Sequence, residues 1–233
     1  MRVNRYLHLP LITTLLMVAK VCAGEMVLYA EHAVPNNYLG ADGKTAKGIA
    51  VDRLRAAFKK TGIPYSITIT EWSRAFKLAQ RQSNACVFST ARLPEREAMF
   101  QWVGPIASSS WVLWGRPDQL PPESLESVRE KLICALLNDG PGEYLQARGF
   151  RIVGATAPET CARNVARGVA DYWANSLTDG QSVLTQLQLS DQVEPKYEYR
   201  RNQLYLACNL AMPKHQIDRL QNALPHIVYQ SIR

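Results

Sequence analysis

The chain has 233 residues, 47% hydrophobic and 20% charged, with 27 Lys and Arg against 20 Asp and Glu for a net charge of +7. That length suffices for one large α/β domain or for two lobes of roughly 100 residues each. The basic excess is scattered, without a basic run or interleaved aromatics, and this argues against a nucleic-acid-binding surface.

At the N-terminus, Arg2 and Arg5 precede an apolar core from Leu7 to Ala19 and then Val21-Cys22-Ala23. A charged start, a short apolar run and a small-residue cleavage site predict a cleavable signal peptide over residues 1–23 and a periplasmic destination. The apolar run, broken by Pro10, is too short to span a bilayer well. A lipoprotein signal on Cys22 is the alternative, with Val21 a poor small residue before it. Removal of residues 1–23 takes away Arg2, Arg5 and Lys20 and no acid, leaving 24 basic against 20 acidic residues and a net charge of +4. A modest positive field suits anionic ligands.

The remaining chain alternates strand and helix. Met26–Ala30 predicts a strand, followed by a turn-rich loop from Glu31 to Lys47. Ala50–Thr61 predicts a helix with Val51, Leu54, Ala57 and Phe58 on one face, stopped by Gly62. Tyr65–Thr70 predicts a strand, Trp72–Arg81 a helix, and Ala85–Ser89 a buried strand leading to a helix that opens at Pro94. Ser110–Trp114, Leu132–Leu137, Arg151–Ala155, Val169–Ala174 and Leu204–Cys208 predict further strands. Ser124–Lys131, a helix from Asn138–Glu143 to Gly149, Thr160–Gly168 and Ile217–Tyr229 predict helices. This βαβα order implies a mostly parallel sheet, with ligands beyond the carboxyl ends of the strands.

Cys86, Cys134, Cys161 and Cys208 follow the signal, and an oxidising compartment permits disulfides. The chain has no CxxC and no Cys/His cluster of metal spacing, so no metal or other cofactor is expected. Cys86 and Cys134 lie in apolar strands and read as buried thiols; Cys161 with Cys208 is the candidate disulfide.

The stretch Ser89-Thr90-Ala91, then Pro94-Glu95-Arg96 and Phe100, resembles the core signature of the family 3 periplasmic solute-binding proteins, the polar amino acid type. The resemblance covers nearly all of the chain after the signal and is strongest from Gly48 to Pro105. It implies a two-lobed α/β fold, periplasmic-binding-protein-like (type II), with lobe 1 over 24–110, lobe 2 over 111–207 and a return to lobe 1 over 208–233. Periodicity alone fits a single larger α/β domain equally well. The implied ligand set is Arg96 with Ser89, Thr90 and Ala91 for a carboxylate; Gly140 and Gly142, in a Gly-rich corner at a helix N-terminus, are read from the residues as either a second anion-binding corner or a common connection. Trp72, in Glu-Trp-Ser-Arg-Ala, either packs at its helix start or stacks on ligand; Tyr38 is either a loop tyrosine or an aromatic cleft wall. Asp52 matches a family Asp that starts the first helix, a favourable charge there.

The pattern departs from amino acid binders after Gly168. Asn175 or Ser176 stands where the family's ammonium-binding Asp is expected, and Asp171 comes five residues early. The carboxylate half of an amino acid site is thus present and the amine half is not. The implied function is capture of a small anionic or zwitterionic solute by hinge closure, for an ABC permease or a sensor receptor in the membrane, by a monomer that is not an enzyme. The enzymatic alternative, a dehydratase or lyase in the same cleft, would use Glu143, whose simpler role is a favourable charge in the first turn of its helix.

Overall fold

The computed structural model describes residues 24–224. The expected signal peptide and the part of the last expected helix beyond Leu224 lie outside the described residues. Among the described residues, no helix is long and apolar enough to cross a membrane.

The first half follows the expected order closely. Strand β1 (Met26–Ala30) leads through two short strands, β2 (Tyr38–Leu39) and β3 (Ala46–Lys47), to helix α1 (Ile49–Thr61). Gly48 takes φ 126° before α1, where a Cβ would lie 2.3 Å from the Asn36 carbonyl oxygen. Gly62, at φ 68°, closes the helix in the left-handed conformation that glycine adopts without cost. The buried face of α1 is Ala50, Val51, Leu54, Ala57 and Phe58. Strand β4 (Tyr65–Ile69), helix α2 (Trp72–Arg81) and strand β5 (Ala85–Ala91) complete this half, and β5 is buried almost throughout. The corner after β5 is a 3-10 turn, Pro94–Met99, and not the expected α-helix start.

Strand β6 (Gln101–Gly115) runs far longer than the expected Ser110–Trp114 and carries the chain into the second half. There, β7 (Ile133–Leu136), α3 (Gly140–Gln146), β8 (Ile152–Ala155), α4 (Pro158–Ala166), β9 (Tyr172–Ser176) and α5 (Leu177–Leu187) repeat the α/β alternation. The helix expected over Ser124–Lys131 is reduced to one 3-10 turn, Glu126–Val128, in which only Val128 is buried. Strand β10 (Glu194–Cys208) then returns antiparallel to β6, and α6 (Lys214–Ala223) follows.

The sheet order is β4-β1-β5-β10-β6-β9-β7-β8. Strands β4, β1 and β5 are parallel, as are β9, β7 and β8. Strand β10 meets β5 only from Leu204 onward, and β6 meets β9 only from Trp111 onward. Between these points the paired segments Ala107–Ser110 and Arg201–Leu204 form a two-stranded ribbon joining two separately packed units. One core contains Leu28, Leu54, Phe58, Phe88, Leu206 and Leu220, so α6 belongs with the first unit. The other gathers around Trp114, Trp173, Val165 and Leu184, with Leu113, Ile133 and Leu145 on the opposite face of its sheet.

Each unit holds its own disulfide, which corrects the expected pairing. Cys86 on β5 bonds Cys208 on β10, its register partner, and Cys134 on β7 bonds Cys161 on α4. Cys161 and Cys208 lie in different cores and cannot meet. Cys86 and Cys134 are accordingly not free thiols.

Candidate functional site: the inter-lobe cleft

A cavity of about 590 Å³ opens between the two units, beyond the carboxyl ends of β1, β4, β5, β7, β8 and β9. The first unit contributes Glu31 after β1, Glu71 and Trp72 at the start of α2, Ser89 and Ala91 on β5, and Arg96. The second contributes Asp139 and Gly140 at the start of α3, Glu159 on α4, Asn175 and Ser176 at the end of β9, and Asp179 on α5.

Arg96 is 1% exposed, held among apolar neighbours with its guanidinium over the rings of Trp72 and Phe76, 5.6 and 5.1 Å from their centroids. A charge so buried requires a partner. Its Nε donates to Glu143 Oε2 at 2.7 Å and its Nη2 to the Asn138 carbonyl at 2.9 Å, both across the cleft; Nη1 has no partner. The fork expected to grip a ligand carboxylate is therefore engaged with a carboxylate of the protein itself. Asn138 adopts φ 59°, a left-handed conformation that Asn tolerates. Its carbonyl also accepts from Trp72 Nε1 at 2.5 Å, and the Leu137 carbonyl accepts from Ser73 Oγ at 3.2 Å. These bonds clasp the two units together at one side of the cavity.

The acidic wall was not legible in the sequence. Ser176 caps α5, its Oγ accepting from Asp179 N–H at 3.0 Å and donating to Asp179 Oδ2 at 2.5 Å, while Asp179 Oδ1 is buried with no partner. Burial pushes the Asp179 carboxyl up to about 6, against the pull of the Ser176 hydroxyl. Asp139 stands at the N-cap of α3 without capping it, and burial pushes it up to about 7; Arg96 opposes the shift, while Asp179 and Glu143 add to it. Glu31 is raised well above the usual carboxylate range, by burial first and then by Asp139 and Asp179. Three carboxyls from three elements thus face one space and repel one another. Among the residues lining it, Arg96 is the only Lys or Arg.

Arg96, Ser89, Ala91, Trp72, Gly140, Asn175 and Ser176 line the cavity. Ser89, at φ 56°, donates through Oγ to Asn37 Oδ1, and Asn37 Nδ2 donates to the Glu31 carbonyl at 2.7 Å, bracing the loop that carries Glu31. Three expected contacts do not face the cavity. Thr90 is fully buried with Oγ1 toward the Val87 carbonyl, 3.3 Å away. Gly142 packs within α3 against Ala135, and Tyr38 sits on β2 with its ring 6.3 Å from that of His32. Asp171 points away and accepts from the Leu132 N–H at 2.8 Å. Asp139 was signalled only by its place before Gly140, and Asp179 by the Ser-x-x-Asp spacing of a capping box. Among the described residues, no group of His, Cys, Asp and Glu has the arrangement of a metal site.

The sequence matches no protein-family model and no curated protein. Solved structures do match. One is a histidine kinase sensor domain with similarity to periplasmic binding proteins, at TM-score 0.76 and 18% identity over 85% of this chain and 88% of that one. Another is an arginine-bound, truncated ArgBP from T. maritima, at TM-score 0.71 and 12% identity over 86% of this chain and 94% of that one. A third is the arginine-, lysine-, histidine-binding protein ArtJ from Geobacillus stearothermophilus, at TM-score 0.71 and 12% identity over 86% and 87%. The fold is the two-lobed α/β fold of periplasmic binding proteins.

Proposed function

We propose that the chain is a periplasmic solute receptor that closes its two lobes over a small solute carrying a positive group. The observation that carries this is the cavity itself, shared between lobes joined by a two-stranded hinge, with buried carboxyls on both sides. Of the anionic and zwitterionic solutes that the resemblance implies, the wall disfavours pure anions, because a further negative charge beside Asp139 and Asp179 adds to the repulsion in a low-dielectric space. Arg96 keeps both N–H groups of Nη1 without a protein partner. Closure would then proceed as a hinge motion about Ala107–Ser110 and Arg201–Leu204, with Arg96–Glu143 and Trp72–Asn138 forming as the lobes meet. Glu143, engaged with Arg96, is a clasp in this reading and not a catalyst.

The membrane partner, an ABC permease or a sensor receptor, would read the closed form. The arginine-binding neighbours accord with uptake and the kinase sensor domain accords with signalling. A thermal-shift screen of the exported chain against amines, amino acids, dicarboxylates, sugar acids and short peptides tests the reading. A ligand at 100 times its dissociation constant adds about 2.7 kcal/mol of stability. Shifts are expected only from solutes bearing a positive group; a shift from dicarboxylates or sugar acids alone would overturn the charge assignment.

A further inference from the structure

We propose that the cleft selects organic cations that lack a carboxylate, amines and guanidines of the size of agmatine or cadaverine, because Glu143 already fills the carboxylate's place on Arg96. The inference rests on reading the cavity as a solute site and narrows the class of solute.

Bidentate capture of a carboxylate needs two parallel N–H groups on one edge of a guanidinium. Arg96 has spent Nε on Glu143 Oε2, which closes its Nε–Nη edge to a second carboxylate, and one N–H of Nη2 on the Asn138 carbonyl. A ligand carboxylate would have to displace Glu143, leaving that side chain without its cation, or lie beside it on a guanidinium whose charge is already balanced. Either arrangement adds a negative charge to a space that Asp139, close to both Glu143 and Arg96, already makes acidic. The chain carries its own carboxylate on a short segment, Asp139-Gly140-Pro141-Gly142-Glu143, at the second anion-binding corner inferred from the sequence.

The complementary half of the site is over-supplied. Asp179 Oδ1 is shut off from solvent and has no partner, an orphaned carboxylate oxygen in the cavity wall. Glu31 and Asp139 approach from two other elements, and after burial the nearness of Asp139 and Asp179 raises the affinity of Glu31 for its proton. An ammonium supplies three donors and a guanidinium five, with a charge that removes this repulsion. The unpartnered nitrogen of Arg96, Nη1, can donate to an uncharged acceptor or to a water bridging to the solute.

Titration calorimetry with two matched pairs tests the proposal: agmatine against arginine and cadaverine against lysine, each pair differing by the carboxylate alone. The wild type is expected to favour the amine of each pair by about tenfold or more, since a misplaced like charge is strongly penalised. Glu143→Gln keeps an acceptor for Arg96 but removes the charge, and is expected to narrow that preference about tenfold by gaining affinity for the amino acids. Asp179→Asn is expected to weaken both amines about tenfold. Arginine or lysine binding the wild type as tightly as its amine overturns the proposal, as does a ratio that Glu143→Gln leaves unchanged. Should Glu143→Gln melt too low to titrate, the wild-type ratio decides alone. Silence toward all four compounds, with some other cationic solute binding, overturns the carboxylate-free class and leaves the receptor reading intact. Silence toward every solute overturns both.

Discussion

Arg96 is the most buried charge in the cleft, and Glu143, whose side chain is 29% exposed, is its only ionic partner among the described residues. Removing one member of a buried pair leaves the other uncompensated, which costs more than removing the charge itself. Glu143→Ala is therefore expected to cost about 2–4 kcal/mol in urea unfolding, the lower part of the range for a buried pair because Glu143 is partly solvated. Arg96→Met, which leaves no buried charge and keeps contact with Trp72 and Phe76, is expected to cost less; the reverse order would mean that Arg96 contributes by packing alone. The carboxyls give a second residue-scale test. Folding raises Asp139 from 3.8 to about 7 and Asp179 from 3.8 to about 6. Over that window the native state holds more protons than the unfolded chain, so stability falls as the pH rises from about 4 to 7. The groups facing these two are Arg96, Glu143, Glu31 and the Ser176 hydroxyl. The melting temperature of the ligand-free protein is expected to decline between pH 5 and 8, less steeply in Asp139→Asn and Asp179→Asn; parallel slopes in all three would contradict the assignment. A bound cation reverses the penalty, so its affinity is expected to rise over the same interval.

At the scale of elements, each lobe is stapled within itself. The loops closed by Cys86–Cys208 and Cys134–Cys161 span 122 and 27 residues. On the chain-entropy argument these staples are worth about 5 and about 3.5 kcal/mol. Replacing Cys86 and Cys208 together by Ala is expected to lower the urea midpoint more than replacing Cys134 and Cys161; equal or reversed effects would show that native-state packing, not loop length, dominates. Sequence periodicity locates β1, α1, β4 and α2 almost to the residue, because each has a one-sided apolar pattern. It misses α5, whose Leu-Thr-Asp-Gly-Gln-Ser reads as a loop. Gly180 is there because Trp114 lies against it, where a Cβ would come within 2.4 Å of the indole. The first ten residues of β10 are also hidden, since they alternate charged and aromatic residues along an edge that is half exposed. The Arg96 corner was legible as a local motif. The acidic wall was not, since Glu31 follows β1, Asp139 precedes α3 and Asp179 lies in the first turn of α5, and the three meet only in the folded cleft.

For the whole molecule, the two-stranded ribbon of β6 and β10 is what makes two lobes out of one continuous eight-stranded sheet. Each lobe has its own core and disulfide, so the proposed closure would fall to the ribbon and to the few bonds across the cleft. Those bonds are Arg96–Glu143, Trp72–Asn138 and Ser73–Leu137. Among the residues lining the cavity between the lobes, Arg96 is the only Lys or Arg, and the proposed cationic solute would supply the charge the wall lacks. The most direct test is calorimetric titration of residues 24–233 with the best cationic solute from the screen, in the wild type and in Asp179→Asn. One solute per chain, weakened about tenfold or more when Asp179 loses its charge, is the result expected of a cleft site. Equal binding by both proteins would place the solute elsewhere and contradict the account.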